Sequence, residues 1–391
     1  MIEIEEAYET LAAWCRARDY AGHDPFDGLN SRLFQATPLR SSRLARLAWT
    51  QAFKRAPFSL RSFARVPEGR NAKGTALFAL AALSRFRATG TREAEREARE
   101  LLDALVAVQL EGWSGACWGY NFDWQGRAFF APQGTPTIVP TAFAARALVE
   151  ASRAFGVEKY LQAARSACAF ILRDLKRSEE SADEVCFSYT PFDETRVFNA
   201  SLLAGETLAS VAALTNEAEL MSEALRAARY VVRRQRADGS WGYGEAGFQG
   251  WADNFHTAFI LTSLARIMRA SAEASVEFAE SLRRGYEFWR GNFFLADGWP
   301  KYYHDNSYPA DAHAAGAAVV ALAELKDAMP DARALADRII RWTLENLRDA
   351  RRGFFYYQRR RFYTVRTPYM RWTQAWMLYA MARLMEERGK G

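Results

Sequence analysis

Cysteine is scarce in this sequence and is not arranged for cross-linking. Cys15, Cys117, Cys168 and Cys186 are scattered over 391 residues without a CxxC pair. This spacing indicates neither a disulfide framework nor a cysteine-based zinc site. The chain starts with an acidic stretch unlike a signal peptide, and no apolar run approaches the roughly 18–20 residues that span a bilayer. These features predict a cytoplasmic protein.

Signatures of nucleotide and nucleic-acid chemistry are also missing. The net charge of +6 is modest for 391 residues, and the basic residues form no recognisable nucleic-acid-binding module. The phosphate-binding pattern GxxxxGK[ST] is absent. The sequence therefore argues against a nucleic-acid partner and against NTP chemistry, and it predicts no cofactor and no metal site.

Two kinds of helical run alternate along most of the chain. Six charged runs are predicted at 3–20, 93–110, 158–176, 219–236, 277–294 and 331–349, and six apolar runs at 71–86, 137–152, 198–214, 253–268, 309–325 and 370–387. The apolar runs begin roughly sixty residues apart, and a fixed period is typical of a repeat architecture.

This alternation predicts the fold. A helix that is apolar on most sides must be buried, whereas a charged helix keeps one face in water. The apolar runs should therefore form an inner ring and the charged runs an outer ring. The prediction is an all-α (α/α)6 toroid of six helical hairpins, with residues 1–391 as one domain. An open solenoid of helix pairs is the alternative; six units and distinct terminal segments favour closure.

Segment 21–70 interrupts the alternation. It opens with Asp-Pro and Asp-Gly turn signals, and every charged residue in 32–65 is basic. Pro38 and Pro57 break any long helix there. We predict an irregular basic connection packed over one end of the toroid. Alternatively, 32–65 forms a peripheral contact with an anionic membrane or with glycan.

The long loops should hold the site, because each leads from a charged run into an apolar run and all of them meet at one end. They combine aromatic rings with hydroxyl-binding side chains, and a sugar needs both, since its C–H face lies on Trp or Tyr. The alternative is that these rings simply plug the end of the toroid as core. The substrate-binding candidates are Trp118, Tyr120, Asp123, Trp124, Asp193, Asn199, Trp241, Tyr243, Trp251, Asn254, Tyr303, His304, Tyr357, Arg371, Trp372 and Gln374.

Two mechanisms fit the catalytic candidates. Glycoside hydrolysis needs two carboxylates, and Asp253 and Asp311 are the best pair. The alternative is that each Asp only caps its helix. Epimerisation or elimination of a uronate instead needs a base at C5, for which His256, His313 and Tyr302 are candidates. Arg371 and Asn254 could then neutralise the sugar carboxylate. Either His could also be a buried residue bonded to a neighbouring carboxylate.

One motif resembles the QW repeat of terpenoid cyclase and prenyltransferase-like toroids. It reads Arg226-Ala227, Tyr230-Val231, Gln235 and Gly239-Ser240-Trp241. In those families the Gln caps a helix and stacks on the Trp to staple helices together. The motif is structural, and the sequence has no adjacent aspartates for a DxDD acid or a DDxxD magnesium box.

A broader resemblance covers nearly the whole chain. The inner-helix starts 251–257 and 311–313 and the segment 371–376 look like those of six-hairpin carbohydrate-active proteins: unsaturated glucuronyl hydrolases, the helical domain of glucuronyl C5-epimerases and toroid polysaccharide lyases. Segments 22–31 and 253–257 together are similar to a group associated with bacterial exopolysaccharide and O-antigen synthesis.

These resemblances imply a carbohydrate-active protein that processes a bacterial, acidic polysaccharide or oligosaccharide. Glycoside hydrolysis is favoured, and uronate lyase or C5-epimerase comes next. The alternative is a non-catalytic glycan-binding or scaffold protein of exopolysaccharide biosynthesis.

Overall fold

The computed structural model describes residues 2–389, and most of them are helical. The helices are α1 (Ile2–Arg16), α2 (Arg32–Gln35), α3 (Arg43–Arg55), α4 (Ala72–Thr89), α5 (Arg92–Ala107), α6 (Ile138–Phe155), α7 (Glu158–Arg173), α8 (Phe198–Thr215), α9 (Ala218–Val232), α10 (Asn254–Ala270), α11 (Ala272–Glu277), α12 (Ala279–Phe293), α13 (Ala312–Leu325), α14 (Ala332–Leu347) and α15 (Ala375–Gly389). A π-helical turn, Met370–Gln374, leads directly into α15.

The inner helices close into a ring, which confirms the predicted all-α toroid. Helices α4, α6, α8, α10, α13 and α15 each pack against the next, and α15 packs against α4. Helices α5, α7, α9, α12, α14 and α1 lie outside and pair with them in the same order. The open solenoid is therefore excluded. None of the helices within residues 2–389 has the length and apolar character needed to cross a membrane.

Burial separates the two rings as the sequence pattern predicts. Almost every residue of the inner helix α13 is buried, whereas α5 buries one stripe that includes Ala94, Ala98 and Leu105. The turns from inner to outer helices are short. Gly90 and Gly156 end α4 and α6 with φ of 65° and 63°, a left-handed backbone that glycine adopts without steric cost.

Ion pairs link all six inner helices near their C-terminal ends, away from the long loops. In this charge ring, Arg87 pairs with Glu150 and Glu386, Arg146 with Glu206, Arg266 with Glu206 and Glu324, and Arg383 with Glu324 and Glu386. The Arg146–Glu206 and Arg266–Glu324 contacts are both 2.5 Å long. The ring closes the end of the toroid opposite the long loops.

Short antiparallel strands tie the long loops together. They are β1 (Trp124–Gln125), β2 (Phe130–Ala131), β3 (Arg177–Glu180), β4 (Val185–Phe187), β5 (Lys301–Tyr303), β6 (Asn306–Asp311), β7 (Arg348–Asp349), β8 (Phe354–Phe355), β9 (Gln358–Arg359) and β10 (Thr364–Val365). Four of them form one sheet in the order β10-β9-β6-β5. Its register pairs Asp311 with Gln358, so the loops before α13 and α15 share hydrogen bonds.

Segment 21–70 is more helical than its prolines suggest. Helix α3 fits between Pro38 and Pro57 and packs against the turn Asp27–Asn30 and against β1. Ser42 caps α3 by accepting a hydrogen bond from the amide of Ala45. The segment therefore lies beside the loop before α6. Treating the whole chain as one domain stays a prediction.

Candidate functional site

A cavity of about 470 Å³ opens among the long loops, where the inner helices begin. Eleven of the sequence candidates line it: Tyr120, Trp124, Asn199, Tyr243, Trp251, His256, Tyr302, Tyr303, His313, Arg371 and Trp372. They come from loops that are far apart in sequence, and ring closure brings them to a single opening.

The best-defined polar group in the cavity is the pair Asp253 and His256. Asp253 caps α10, since its Oδ1 accepts a hydrogen bond of 2.9 Å from the amide of His256. Its Oδ2 lies 2.8 Å from the ring Nδ1 of His256. Asp253 is buried and does not line the cavity. With Nδ1 donating to this carboxylate, Nε2 of His256 is left as an acceptor without a partner among residues 2–389.

A second imidazole, that of His313, also lies close to the Phe255 ring. The Phe255 ring centroid is 4.2 Å from that of His256 and 4.6 Å from that of His313. His313 is fully buried, and neither of its ring nitrogens has a hydrogen-bond partner within the described chain. Burial, with Lys73 and Arg371 nearby, lowers the pKa of His313 well below its usual value. His313 is therefore a neutral imidazole.

Flat aromatic surfaces form the walls of the cavity. Tyr243 and Trp251 stack at 4.6 Å with an interplanar angle of 10°. On the wall formed by the loop before α6, Tyr120 stacks on Phe122 at 5.2 Å, and Trp124 lies 5.1 Å from Tyr189. Such surfaces accept the C–H face of a sugar ring at little cost in side-chain entropy.

The charged residues that line the cavity are all basic. They are Lys54, Lys73, Arg127 and Arg371, and no Asp or Glu of residues 2–389 is among the lining residues. Arg371 is already neutralised, because its Nε and Nη2 donate to Asp24 at 2.5 and 2.7 Å. Burial lowers the pKa of Lys54 to about 8. The cavity is therefore suited to an electron-rich or anionic ligand.

Asp311 caps α13 and does not line the cavity. Its Oδ1 accepts hydrogen bonds of 2.8 and 3.1 Å from the amides of His313 and Ala314, which caps α13. Its Oδ2 accepts one of 2.6 Å from Gln358. Burial raises the pKa of Asp311 to about 6. With both oxygens engaged and no face on the cavity, Asp311 is left out of the site that we propose.

Several aromatic and amide candidates belong to the core. The indole nitrogens of Trp118 and Trp241 donate to the carbonyls of Leu105 and Val231. Gln374 exchanges two hydrogen bonds with the backbone of Phe355, Asn254 binds Lys301 and Trp289, and Tyr357 packs against Tyr369. None of these five candidates lines the cavity, so we leave all of them out of the proposed site.

The remaining three candidates stabilise loops. Asp193 accepts hydrogen bonds from the amides of Thr190 and Thr195. Asp123 accepts from the amide of Gln133 and the side chain of Gln35. His304 packs between Phe288 and Phe293. The two aspartates therefore serve as hydrogen-bond acceptors within their loops.

Sequence reasoning missed the two lysines of the cavity. Lys73 is the only charged residue in the first three turns of α4, and a lone lysine in a buried helix is a signal that could have been read. Lys54 belongs to a segment in which all charges are basic, so nothing distinguished it from its neighbours. Within residues 2–389, no group of three or more His, Cys, Asp or Glu side chains is arranged to hold a metal ion.

Comparison with solved structures supports the fold. Cellobiose 2-epimerase from Bacillus thermoamylovorans superposes with a TM-score of 0.66 at 12% identity, covering 81% of this chain and 88% of that chain. A D-mannose isomerase gives 0.61 at 12% identity over 82% and 87%. An unsaturated glucuronyl hydrolase specific for heparin gives 0.58 at 16% identity over 81% and 86%. No protein-family model and no curated protein sequence matches the chain. At these identities the likeness establishes the (α/α)6 toroid fold.

Proposed function

We propose that this protein is a carbohydrate-active enzyme that transfers a proton to and from carbon in a saccharide, as an epimerase or a lyase. The observation that carries the proposal is His256, whose Nδ1 is held by Asp253 while its Nε2 is free at an aromatic-walled cavity. A fixed Nδ1–H bond to a carboxylate orients an imidazole and stabilises its protonated form, which suits a general base.

His313 supplies a second acid–base group. Each imidazole lies within 5 Å of the Phe255 ring, so both can reach the same sugar. Removal of a proton on one face and delivery on the other would invert a stereocentre next to a carbonyl or carboxylate. The structural neighbours that are a sugar epimerase and a sugar isomerase support this class of reaction.

Hydrolysis by two carboxylates has less support from the geometry than from the sequence. The mechanism needs two carboxyl groups that flank the scissile bond. Asp253 and Asp311 both act as helix caps, and no carboxylate of the described residues lines the cavity. We therefore place hydrolysis below proton transfer, and binding without turnover is the remaining alternative.

Exchange in heavy water tests the proposal. The protein is incubated in D2O with oligosaccharides that carry glucuronate, galacturonate or a neutral reducing sugar, and the products are analysed by mass spectrometry and NMR. We expect deuterium at one carbon, or an unsaturated uronate, and neither with His256→Gln. New reducing ends with neither deuterium at carbon nor an unsaturated uronate would establish a hydrolase instead. Tight binding without any product would establish a glycan-binding protein.

The cellular setting is also a proposal. All four cysteines are free and buried, which supports a reducing, cytoplasmic environment. Exposed Phe58, Phe63 and Leu44 beside arginines support a peripheral contact of segment 32–65 with an anionic membrane or glycan. Sedimentation with vesicles that contain anionic lipid, compared with neutral vesicles, would test the membrane contact.

A further inference from the structure

Lys73 lies at the floor of the cavity, on the axis of the toroid. Its Nζ is 4.4 Å from the ring centroid of Phe143, 4.9 Å from that of Phe259 and 5.5 Å from that of Trp376. These rings come from α6, α10 and α15, so the amine is surrounded by inner helices. The side chain is buried but lines the cavity, and Nζ has no hydrogen-bond or ion-pair partner among residues 2–389.

Other buried polar atoms without partners lie around Lys73. They are the Nε1 atoms of Trp372 and Trp376 and both ring nitrogens of His313. The His313 ring is 4.1 Å from that of Trp372 and 5.1 Å from that of Trp376. Buried donors are normally satisfied, and leaving one unpaired is costly. Trp372 and His313 line the cavity; together with the Lys73 amine they offer N–H donors, and no Asp or Glu of residues 2–389 lines the cavity, so this part of it is complementary to an oxyanion.

We infer that the floor of the cavity is a carboxylate-binding subsite in which Lys73 Nζ forms an ion pair with the acid group of a uronate. The inference rests on the proposed function and specifies its substrate class. The Lys73 ammonium would meet the carboxylate, with the aromatic rings excluding water from the pair. A charge-assisted hydrogen bond in such surroundings is stronger than one in water.

Arg371 is less suited to this task, although the sequence suggested it. Its guanidinium already makes two hydrogen bonds to Asp24. Similarly, the cation nearest to Lys73 on the opposite side, Arg146, is paired with Glu206 in the charge ring. Lys73, at the floor of the cavity, is the cation for which the ligand must supply the negative counter-charge.

Burial gives this subsite a measurable signature. Desolvation, with Arg371 and Arg146 nearby, lowers the pKa of Lys73 well below its usual value, and Asp24 opposes the shift only in part. The further titratable residues that line this cavity are His313, His256, Lys54, Tyr120, Tyr189, Tyr243, Tyr302 and Tyr303. A carboxylate placed beside Lys73 raises its pKa again, so acid sugars should bind with proton uptake.

The test compares an acid with its own ester. Binding of a galacturonate trisaccharide and of its methyl ester is measured by calorimetry at pH 7, in two buffers of different ionisation enthalpy. We expect the acid to bind roughly 10- to 100-fold more tightly than the ester and to take up protons. These two measurements need only the parent protein. Equal affinity for acid and ester would overturn the inference.

Two variants then show which lysine is responsible for the preference for the acid. Lys73→Met should abolish the preference for the acid and leave ester binding unchanged, whereas Lys54→Met, at a cation that lies over Phe26, should retain most of the preference. A preference that persists in Lys73→Met would refute the role of Lys73. Tighter binding of a matched sugar phosphate or sulfate would show that the subsite recognises another oxyanion.

The proposed function is tested separately. If Lys73→Met loses acid selectivity but still exchanges deuterium at saturating substrate, both proposals stand. If the parent protein selects the acid and never exchanges deuterium, the subsite stands and the enzymatic proposal fails.

Discussion

Asp253 performs two tasks for His256, because one carboxylate oxygen binds the backbone amide of His256 and the other lies 2.8 Å from its ring Nδ1. The sequence analysis posed a helix cap and a catalytic carboxylate as alternatives for Asp253. In the structure the carboxylate caps α10 and also binds the His256 ring, and the side chain that lines the cavity is that of His256.

This arrangement predicts the effect of Asp253→Asn. Asn caps helices about as well as Asp, so the fold should persist, while His256 loses the charge that fixes its tautomer. We expect the rate of deuterium exchange to fall by roughly 10²- to 10⁴-fold. Asp311→Asn is the matched control, since Asp311 also caps an inner helix but its second carboxylate oxygen binds Gln358 and not a histidine ring. Full exchange activity in Asp253→Asn would contradict the role of His256.

Much of the fold could be predicted because its signals are local. Each segment shows by its own composition whether it is an apolar or a charged helix. The observed inner helices begin within three residues of the predicted runs. The exception is α15, because a π-helical turn occupies its predicted start. The QW-type segment links neighbouring helices, which is one of the features that its resemblance implies. Gln235 binds the backbone of Gly239 and of Ser281, which ties the end of α9 to α12.

The charge ring could not be predicted in this way. Arg146, Glu206 and Arg266 each look like a solvent-exposed charge within its own helix, and only closure of the ring makes them buried partners. The same reason explains Lys73, whose surroundings come from three other helices. Ring closure also decides which loop side chains face the cavity, so the sequence could not show that eight aromatic, amide and loop candidates lie outside it. Residue type indicates a preference for sugar contact, but it does not say which side of a loop faces the cavity.

Two glycines of α12 provide a test of the packing around Trp241. A Cβ at Gly285 would lie 2.4 Å from Cζ3 of the Trp241 ring, whereas a Cβ at Gly291 would meet nothing within 4 Å. We expect Gly285→Ala to destabilise the protein by about 1–3 kcal/mol through overpacking.

The matched variant Gly291→Ala should be neutral or stabilise by up to about 1 kcal/mol, because alanine favours a helix. Urea unfolding followed by circular dichroism measures both. Equal stability of the two variants would mean that the Trp241 ring does not pack against Gly285.

The charge ring predicts a large effect of Glu206→Gln. Glu206 is buried and accepts hydrogen bonds from Arg146, at 2.7 and 2.5 Å, and from Ser263, at 2.6 Å. Removing its charge leaves Arg146 without its carboxylate partner and Arg266 with Glu324 alone, which should cost about 3–5 kcal/mol. Glu217→Gln is the control, because its pair with Arg165 is partly exposed and should contribute less than about 1 kcal/mol.

The pairing of Glu206 also predicts that the stability of the fold changes under acid conditions. The arginines hold the pKa of Glu206 below its usual value. A carboxylate of this kind stabilises the fold above its unfolded pKa, and the stabilisation is lost as the pH falls through the folded pKa. The stability difference between the parent protein and Glu206→Gln should therefore shrink under acid conditions. A constant difference from pH 7 to pH 3 would contradict the pairing.

The buried carboxyl group of Asp311 predicts the opposite dependence of stability on pH. Burial raises its folded pKa from 3.8 to about 6, so between these values the folded state binds a proton that the unfolded state has released. Its contribution is fully present below pH 3.8 and is lost as the pH rises to about 6. Asp311→Asn keeps a capping oxygen for α13 and cannot titrate.

Thermal unfolding of both proteins between pH 4 and pH 7 isolates this effect. Subtraction of the two curves removes the contributions of all other groups, and we expect the parent protein to lose on the order of 2 kcal/mol relative to Asp311→Asn over that interval. The loss should level off above pH 6, where the folded carboxyl is ionised and its three hydrogen bonds are charge-assisted. Parallel curves would show that Asp311 ionises in the fold as it does in the unfolded chain, which its burial among α13, β6 and β9 argues against.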